Sequence, residues 1–287
     1  MIFGLTGNDQ KPEFFSIVTA LADYLQNSGH DLILSANILQ ISKPDPCGGI
    51  ARQGIEDMAR NSDVILSIGG DGTILSTVRQ IGHLGVPVLG IRIGRLGFLA
   101  EGTLGNYLSA VQDIINGNYI ISERTLLEAA LNRKIPRRFL ALNEIVIEHG
   151  SARILKTHIN VSGEFLNTYE SDGVIFSTPT GSTAYSLSAG GPIVTPALDV
   201  ILVTPVCPHS LSARPIVLSG TETIQVSFDE DQLGMALAAD GQVSVPLDYA
   251  ETITIRKADY TVKMIGLRDT NFFQTLRTKL GWSGKVR

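Results

Sequence analysis

The stretch VILSIGGDGTILSTVRQI, residues 64–81, decides the fold class. Its apolar opening, 64–68, reads as a buried strand, and 73–81 reads as a helix, with Gly69, Gly70, Asp71 and Gly72 forming the turn between them. A strand that runs through a glycine turn into a helix belongs to an open, largely parallel sheet covered by helices. The flanks agree. Residues 2–5 read as a strand, Phe14, Val18, Leu21 and Leu25 recur at helical spacing, and 31–35 read as a second strand. Gly29 stands where that first helix would end, because glycine accepts a left-handed backbone without a Cβ clash. Downstream, 86–91 reads as another buried strand, and Leu104, Leu108, Val111 and Ile115 mark one apolar face of a further helix.

Beyond about residue 118 the texture changes. The runs 140–148, 154–162, 173–177, 223–228 and 252–256 read as strands of an antiparallel sandwich or barrel. A helical segment at 183–189 interrupts them, and an amphipathic helix at 272–280 lies near the end. The expected organisation is therefore an α/β domain with an open, mostly parallel sheet over 1–118, a β-rich, sandwich-like domain over 119–260, and a tail, 261–287, whose helix returns to the first domain. The segment KPDPCGG, 43–49, reads as a mobile loop, since Pro44 and Pro46 each remove a backbone donor.

Bulk properties narrow the function. With 287 residues, 44% of them hydrophobic, the chain has ample material for packed cores. A net charge of -5, with no long run of either sign, gives no broad footprint for nucleic acid. Cys47 and Cys207 form neither a CxxC spacing nor a disulfide framework, as suits a reducing compartment. The opening MIFGLTGNDQ lacks the regions of a signal peptide, and no stretch reaches the roughly 18 apolar residues of a membrane span. A cytoplasmic protein without nucleic-acid or membrane partners is expected. His30, His83, His149, His158 and His209 share no metal-ligand spacing, so no metal ligand is assigned.

The glycine turn suggests the chemistry. It exposes backbone N–H groups at the positive end of a helix dipole, an arrangement that cradles phosphate. Asp71 then has three readings: it accepts a proton from a substrate hydroxyl, it holds a Mg²⁺ that bridges phosphates, or it caps the helix. Neither the P-loop pattern nor the GxGxxG fingerprint is present. In the second half, Asn143 and Glu144 interrupt the apolar run LALNEIVIE, where an unpartnered buried polar group costs about 1 to 3 kcal/mol. Either a structural network or a strand end meets them, or they read ribose hydroxyls and a base edge. In SDGVIFSTPTGSTAYSLSAGGPI, 171–193, Thr180, Ser182, Thr183, Tyr185, Ser186 and Ser188 crowd more hydroxyls around one turn than capping requires. A polyhydroxylated or amide-bearing ligand explains them, as would an interface or a folding corner.

GGDGT, 69–73, resembles a signature shared by NAD kinases and by diacylglycerol and sphingosine kinases, with a relative in 6-phosphofructokinases. The segment 171–193, together with Asn143-Glu144, GRLGFL at 94–99, HSLSARPIV at 209–217 and ADGQ at 239–242, is similar to the NAD kinase family across essentially the whole chain. That resemblance implies phosphoryl transfer from ATP or another donor to the adenosine ribose 2'-hydroxyl of NAD, with Mg²⁺ or another divalent cation as cofactor. It makes Asp71 the general base and sets Gly69, Gly70, Gly72 and Thr73 against the nucleotide, with Phe98 near the adenine. Asn143 and Glu144 would hold the adenosine side, and Asp172 would face the second ribose. Thr183, Ala184, Tyr185, Ser186, Leu187 and Ser188 would line the NAD pocket, and Gln242 would approach from a loop that a neighbouring subunit can supply. The family implies a homodimer or homotetramer. One departure stands at Gly90-Ile91-Arg92, where the family commonly has Gly-Ile-Asn. Two rivals are a lipid kinase, for which no apolar slot stands out, and a non-catalytic NAD(P) sensor, against which the intact GGDGT argues.

Overall fold

A computed structural model describes residues 1–38, 49–133, 135–150, 154–230, 232–268 and 271–282. Two compact units contain them: Met1–Glu123 with Val262–Arg287, and Arg124–Thr261.

The first unit opens β1 (Ile2–Gly7), α1 (Phe14–Asn27), β2 (Asp31–Ser35), β3 (Ala51–Gln53), α2 (Ile55–Arg60), β4 (Val64–Gly69) and α3 (Asp71–Ile81). It continues with β5 (Val88–Arg92), β6 (Gly102–Thr103) and α4 (Tyr107–Ile115). The strands pair in parallel in the order β5-β4-β1-β2-β3, with β6 against β5. Strand alternation divides their side chains between two faces. Phe3, Leu5, Leu66, Ile68, Leu89 and Ile91 pack with α1 and α4, whereas a Cβ on Gly90 would lie 2.4 Å from Ile74 Cδ1 of α3. Helices thus cover both faces, as a parallel sheet requires. Gly29, with a φ of 74°, follows the C-cap residue Ser28 of α1.

The chain leaves this unit within β7 (Tyr119–Leu131) and returns within a long strand, β18 (Ile253–Leu267), whose Met264 pairs in parallel with Val88; α6 (Phe272–Leu280) follows. Between them lie β8 (Arg137–Ala141), β9 (Glu144–His149), β10 (Leu155–Val161), β11 (Glu164–Ser171), β12 (Gly173–Ser177), a 3-10 turn (Thr180–Thr183) and α5 (Tyr185–Ser188). β13 (Val200–Val206), β14 (Ile216–Ser219), β15 (Ile224–Phe228), β16 (Met235–Ala239) and β17 (Val243–Leu247) complete the order. In the second unit one antiparallel sheet runs β14-β13-β12-β9-β16-β17; β11-β10-β15-β18, with β7 and β8, forms the opposing layer. Phe176, Ile145, Val203 and Leu237 of the first sheet meet Leu127, Ile159, Val226 and Ile255 of the second in one core, which makes the unit a sandwich.

Four expectations from the sequence change in detail. The run 140–148 is two strands in different sheets, broken at Leu142 and Asn143. The strand expected at 252–256 continues to Leu267. The helical segment at 183–189 resolves into the 3-10 turn and one turn of α-helix. The α4 helix starts at Tyr107, after Asn106 Oδ1 has accepted the Thr103 N–H at 2.7 Å, so Leu104 precedes it. Its buried face is Ala110, Val111 and Ile114, while Leu104 and Leu108 are 45% and 36% exposed. Of the loop 43–49, all but Gly49 lies outside the described residues.

Candidate active site

Each unit carries one group of the residues that the sequence singles out. In the first, β4 ends at Gly69 and α3 begins at Asp71, so the glycine turn sits at the carboxyl end of a central parallel strand, where open α/β sheets bind ligands. The strand fixes the first glycine tightly: a Cβ on Gly69 would lie 2.3 Å from Thr73 Oγ1. Gly70 faces open space, with nothing within 4 Å of a Cβ built there. The turn therefore has a packed inner side and an open outer one, and the outer side is where an anion could approach the start of α3.

Asp71 does not cap its own helix; Gly70 is the N-cap residue, and the helix has no side-chain cap. The carboxylate instead accepts the Phe98 N–H on Oδ2 at 2.8 Å and the Leu99 N–H on Oδ1 at 3.3 Å. The two motifs GGDGT and GRLGFL are thus one structure. Gly97 shows why the second motif needs glycine: a Cβ there would stand 1.8 Å from Asp71 Oδ1. Phe98 stays partly exposed, and Lys279 of α6 sets its ammonium 4.2 Å from the ring centroid, a cation–π contact on one face of the ring.

In the second unit the break between β8 and β9 is held from both sides. Asp240 accepts three consecutive N–H groups, Leu142 at 3.0 Å, Asn143 at 2.8 Å and Glu144 at 3.2 Å. From the other side, Thr178 donates its hydroxyl to the Leu142 carbonyl at 2.5 Å and its N–H to the Asn143 carbonyl at 2.9 Å. A Cβ on Gly181 would lie 2.1 Å from that same Asn143 oxygen, which explains the glycine of the Pro-Thr-Gly turn. These bonds hold Leu142 and Asn143 between the two strands and fix where the Asn143 and Glu144 side chains leave the backbone.

Glu144 is only 7% exposed. The Tyr185 backbone N–H bonds to its carboxylate, but Oε2 is buried with no hydrogen-bond partner. Burial, and then the negative charge of Asp240, push the carboxyl up to about 7. Tyr185 itself is exposed at the start of α5; its hydroxyl is raised above the usual phenol range, first by partial burial and then by Glu148, Cys207, Asp172 and Glu144. Asp172 is an exposed residue between β11 and β12, so the fold brings it with Glu144 to the surroundings of Tyr185.

The hydroxyl-rich segment divides into two populations. Ser182 is fully buried and bonds the Pro179 and Val194 carbonyls; Ser186 is fully buried against Thr204 Oγ1 at 2.9 Å. These two hold the corner together, with the Ser186 hydroxyl buried against Thr204. Thr183 and Leu187 are partly exposed, as is Ala184, and Ser188 is exposed. Gln242 is exposed in the tight connection from β16 to β17, where Asp240 and Gly241 adopt φ of 51° and 63°. Sequence reasoning quoted Asp240 and Gly97 only within motifs and missed their contacts. The signal available for Asp240 was the Ala-Asp-Gly turn ending an apolar run; for Gly97 no local pattern announces a partner 26 residues upstream.

A family model described as the ATP-NAD kinase N-terminal domain matches residues 3–119, and one described as the ATP-NAD kinase C-terminal domain matches residues 142–267. The NAD kinase of Erwinia tasmaniensis is 36% identical over 286 residues, 99% of this chain and 97% of that one. The NAD kinase of Syntrophotalea carbinolica is 38% identical over 282 residues, 97% of this chain and 98% of that one. Among solved structures, yeast NADH kinase complexed with NADH superposes with a TM-score of 0.88 at 27% identity, over 100% of this chain and 89% of that one. An NAD kinase from Archaeoglobus fulgidus in complex with ATP gives 0.77 at 26% identity, over 98% and 99%.

Proposed function

The chain belongs to the NAD kinase family, and from that premise we infer that it transfers a phosphoryl group from ATP to the adenosine ribose 2'-hydroxyl of NAD, yielding NADP and ADP. The observation that carries this reading is that relatives named NAD kinase align with both units together, at 36% and 38% identity. It favours neither the lipid kinase nor the non-catalytic sensor.

In this reading Asp71 is the general base. The 2'-hydroxyl proton passes to its carboxylate as the ribose oxygen bonds to phosphorus and the bond from phosphorus to the departing ADP oxygen breaks. Such a transfer depends mostly on positioning and electrostatics. The Phe98 and Leu99 N–H groups hold the carboxylate in one orientation, and each of its oxygens keeps a further lone pair for a substrate hydroxyl. Gly69, Gly70, Gly72 and Thr73 receive phosphate, while Phe98, Asn143, Glu144, Asp172, Thr183, Ala184, Tyr185, Leu187, Ser188 and Gln242 bind the nucleotide substrate. A glutamate that stays protonated near neutral pH can donate a hydrogen bond to a sugar or base acceptor, which an ionised one cannot.

Among the described residues, no group of three or more His, Cys, Asp or Glu side chains could hold a metal ion. Mg²⁺ ordinarily binds through one or two carboxylates plus substrate phosphates, so in this proposal it arrives with the donor and offsets phosphate charge. A cytoplasmic setting and assembly as a homodimer or homotetramer belong to the same proposal. No helix among the described residues is long and apolar enough to cross a membrane.

A coupled assay for NADP formation from NAD and ATP, repeated with other donors and with NADH, tests the reaction. NADP appearing in proportion to protein is the expected result; NAD binding without turnover would overturn it.

A further inference from the structure

Arg92 is the last residue of β5, and its backbone stands in register with Gly69, the first glycine of the turn. Leu89 and Ile91 of that strand face the core beneath α1 and α4, and Gly90 faces Ile74 of α3. Alternation therefore sends the Arg92 side chain to the α3 side of the sheet, at the strand end where α3 begins. The same end carries the loop that holds Asp71.

Its bonding is incomplete. The Nε atom is buried with no hydrogen-bond partner, and the one hydrogen bond of the side chain among the described residues is a 3.5 Å contact from Nη1 to the Gly94 carbonyl. No acidic side chain among the described residues forms an ion pair with it, and the carboxylate of Asp71 accepts from Phe98 and Leu99 instead. A guanidinium cannot escape this position by losing its proton, so Nε remains a buried donor without a partner while the half-exposed Nη groups can turn to an incoming anion. Buried unsatisfied donors in folded proteins call for such an explanation. The geometry of the fork suits a tetrahedral oxyanion, which arginine binds through two parallel N–H bonds. The turn opposite, open at Gly70, offers backbone N–H groups to the same kind of group.

We propose that Arg92 is a specificity-determining residue for the phosphoryl donor: its guanidinium contacts the donor's phosphate oxygens as they enter the glycine turn. This rests on the phosphoryl-transfer reading above. A fixed cation at this position offsets part of the donor's charge and ties donor affinity to β5, independently of the groups that read NAD in the second unit.

The test uses the full chain with Arg92→Gln and Arg92→Lys. Initial rates are measured while ATP and NAD are varied separately, and binding of ATP and of inorganic tripolyphosphate is measured by calorimetry without NAD. In R92Q the KM for ATP rises about tenfold, as expected for a lost charge-assisted phosphate contact. The KM for NAD stays within about twofold, and R92K recovers part of the loss because the charge remains and the fork does not. Calorimetric affinity for both phosphate ligands falls in parallel. An unchanged ATP constant and unchanged binding overturn the proposal, as does a loss that falls on NAD instead. The midpoint of thermal unfolding, recorded alongside, separates this from a structural role, which would lower the midpoint and leave ligand constants alone. A wild-type chain that forms no NADP defeats the kinase reading, while tripolyphosphate binding by wild type and R92Q still decides the role of Arg92.

Discussion

Asp71 in the first unit and Asp240 in the second do the same local work. Each gathers backbone N–H groups from a segment distant in sequence: Asp71 takes those of Phe98 and Leu99, Asp240 those of Leu142, Asn143 and Glu144. They differ in what is left over. Asp240 is 7% exposed and its three acceptor bonds close around it, whereas Asp71 has two and remains partly exposed at the start of α3. An aspartate whose oxygens are enclosed can only organise its neighbours. One that is anchored yet open can also take a proton from a ligand. The pair separates a role in catalysis from a role in architecture on the basis of coordination and access, with chemistry held constant.

The sharpest way to break this comparison is Asp71→Asn. The amide oxygen can still accept the Phe98 N–H, but the residue is no longer a base, so turnover should fall by about 10²–10⁴-fold. The NAD affinity should stay close to wild type, and the unfolding midpoint should fall only modestly, since the amide NH₂ then faces a single N–H at a partly exposed site. Turnover within a few fold of wild type would remove Asp71 from proton transfer and make the two aspartates equivalent.

Asp240→Asn should do the opposite. Asparagine tolerates the φ of 51° at this position, so the substitution isolates hydrogen bonding from backbone conformation. One of three N–H groups then faces an NH₂, and the other bonds lose their charge assistance, which together cost about 3 kcal/mol of stability. Denaturant unfolding measures that loss. The KM for NAD should rise with it, because Asn143 and Glu144 lose their common anchor, while the ATP constant moves little. A variant as stable as wild type would show that Thr178 and Gly181 hold the break between β8 and β9 without Asp240.

The two sites were legible in the sequence to different degrees, for the same physical reason. Around Asp71, strand, glycine turn and helix are consecutive, and glycine and periodicity announce them; the parallel sheet and the helices on it follow from local pattern. The anchor at Phe98 and Leu99 was not legible, since a backbone donor leaves no trace in residue type. Around Glu144 the polar pair inside an apolar run drew notice, but the run reads as one strand because no glycine or proline marks the break at Leu142 and Asn143. The break there is imposed by Asp240, about 100 residues away, and pairing at that distance has no sequence period. Ser182 and Ser186 show the limit in the other direction. Hydroxyl residues that bind ligand and those that brace a corner look alike until Thr204 and Val194 are seen to meet them.

Glu144 supplies the smallest effect and the finest discrimination. Its carboxyl titrates near 7 in the fold, against 4.5 for an unperturbed glutamate. Below about pH 4.5 the folded and unfolded chains both hold the proton, so the residue contributes nothing to the pH dependence. Between 4.5 and 7 the unfolded chain has released the proton and the folded chain keeps it, so stability falls as pH rises; above 7 the loss is complete. The displacement is worth about 3 kcal/mol at most. Glu144→Gln removes the ionisation and weakens the bond from the Tyr185 N–H, leaving a net gain of about 1 to 2 kcal/mol at pH 8. The unfolding midpoint of the variant should therefore exceed that of wild type at pH 8 and drop below it as pH falls towards 4.5, even as NAD binding weakens. Because Asp240 is one of the causes of the shift, combining Glu144→Gln with Asp240→Asn should shrink the pH-dependent gain, since the neutral amide no longer opposes ionisation of Glu144. A midpoint difference that is flat from pH 5 to 8 would mean that Glu144 is ionised throughout. The enclosed aspartate would then organise the backbone around the glutamate without governing its charge.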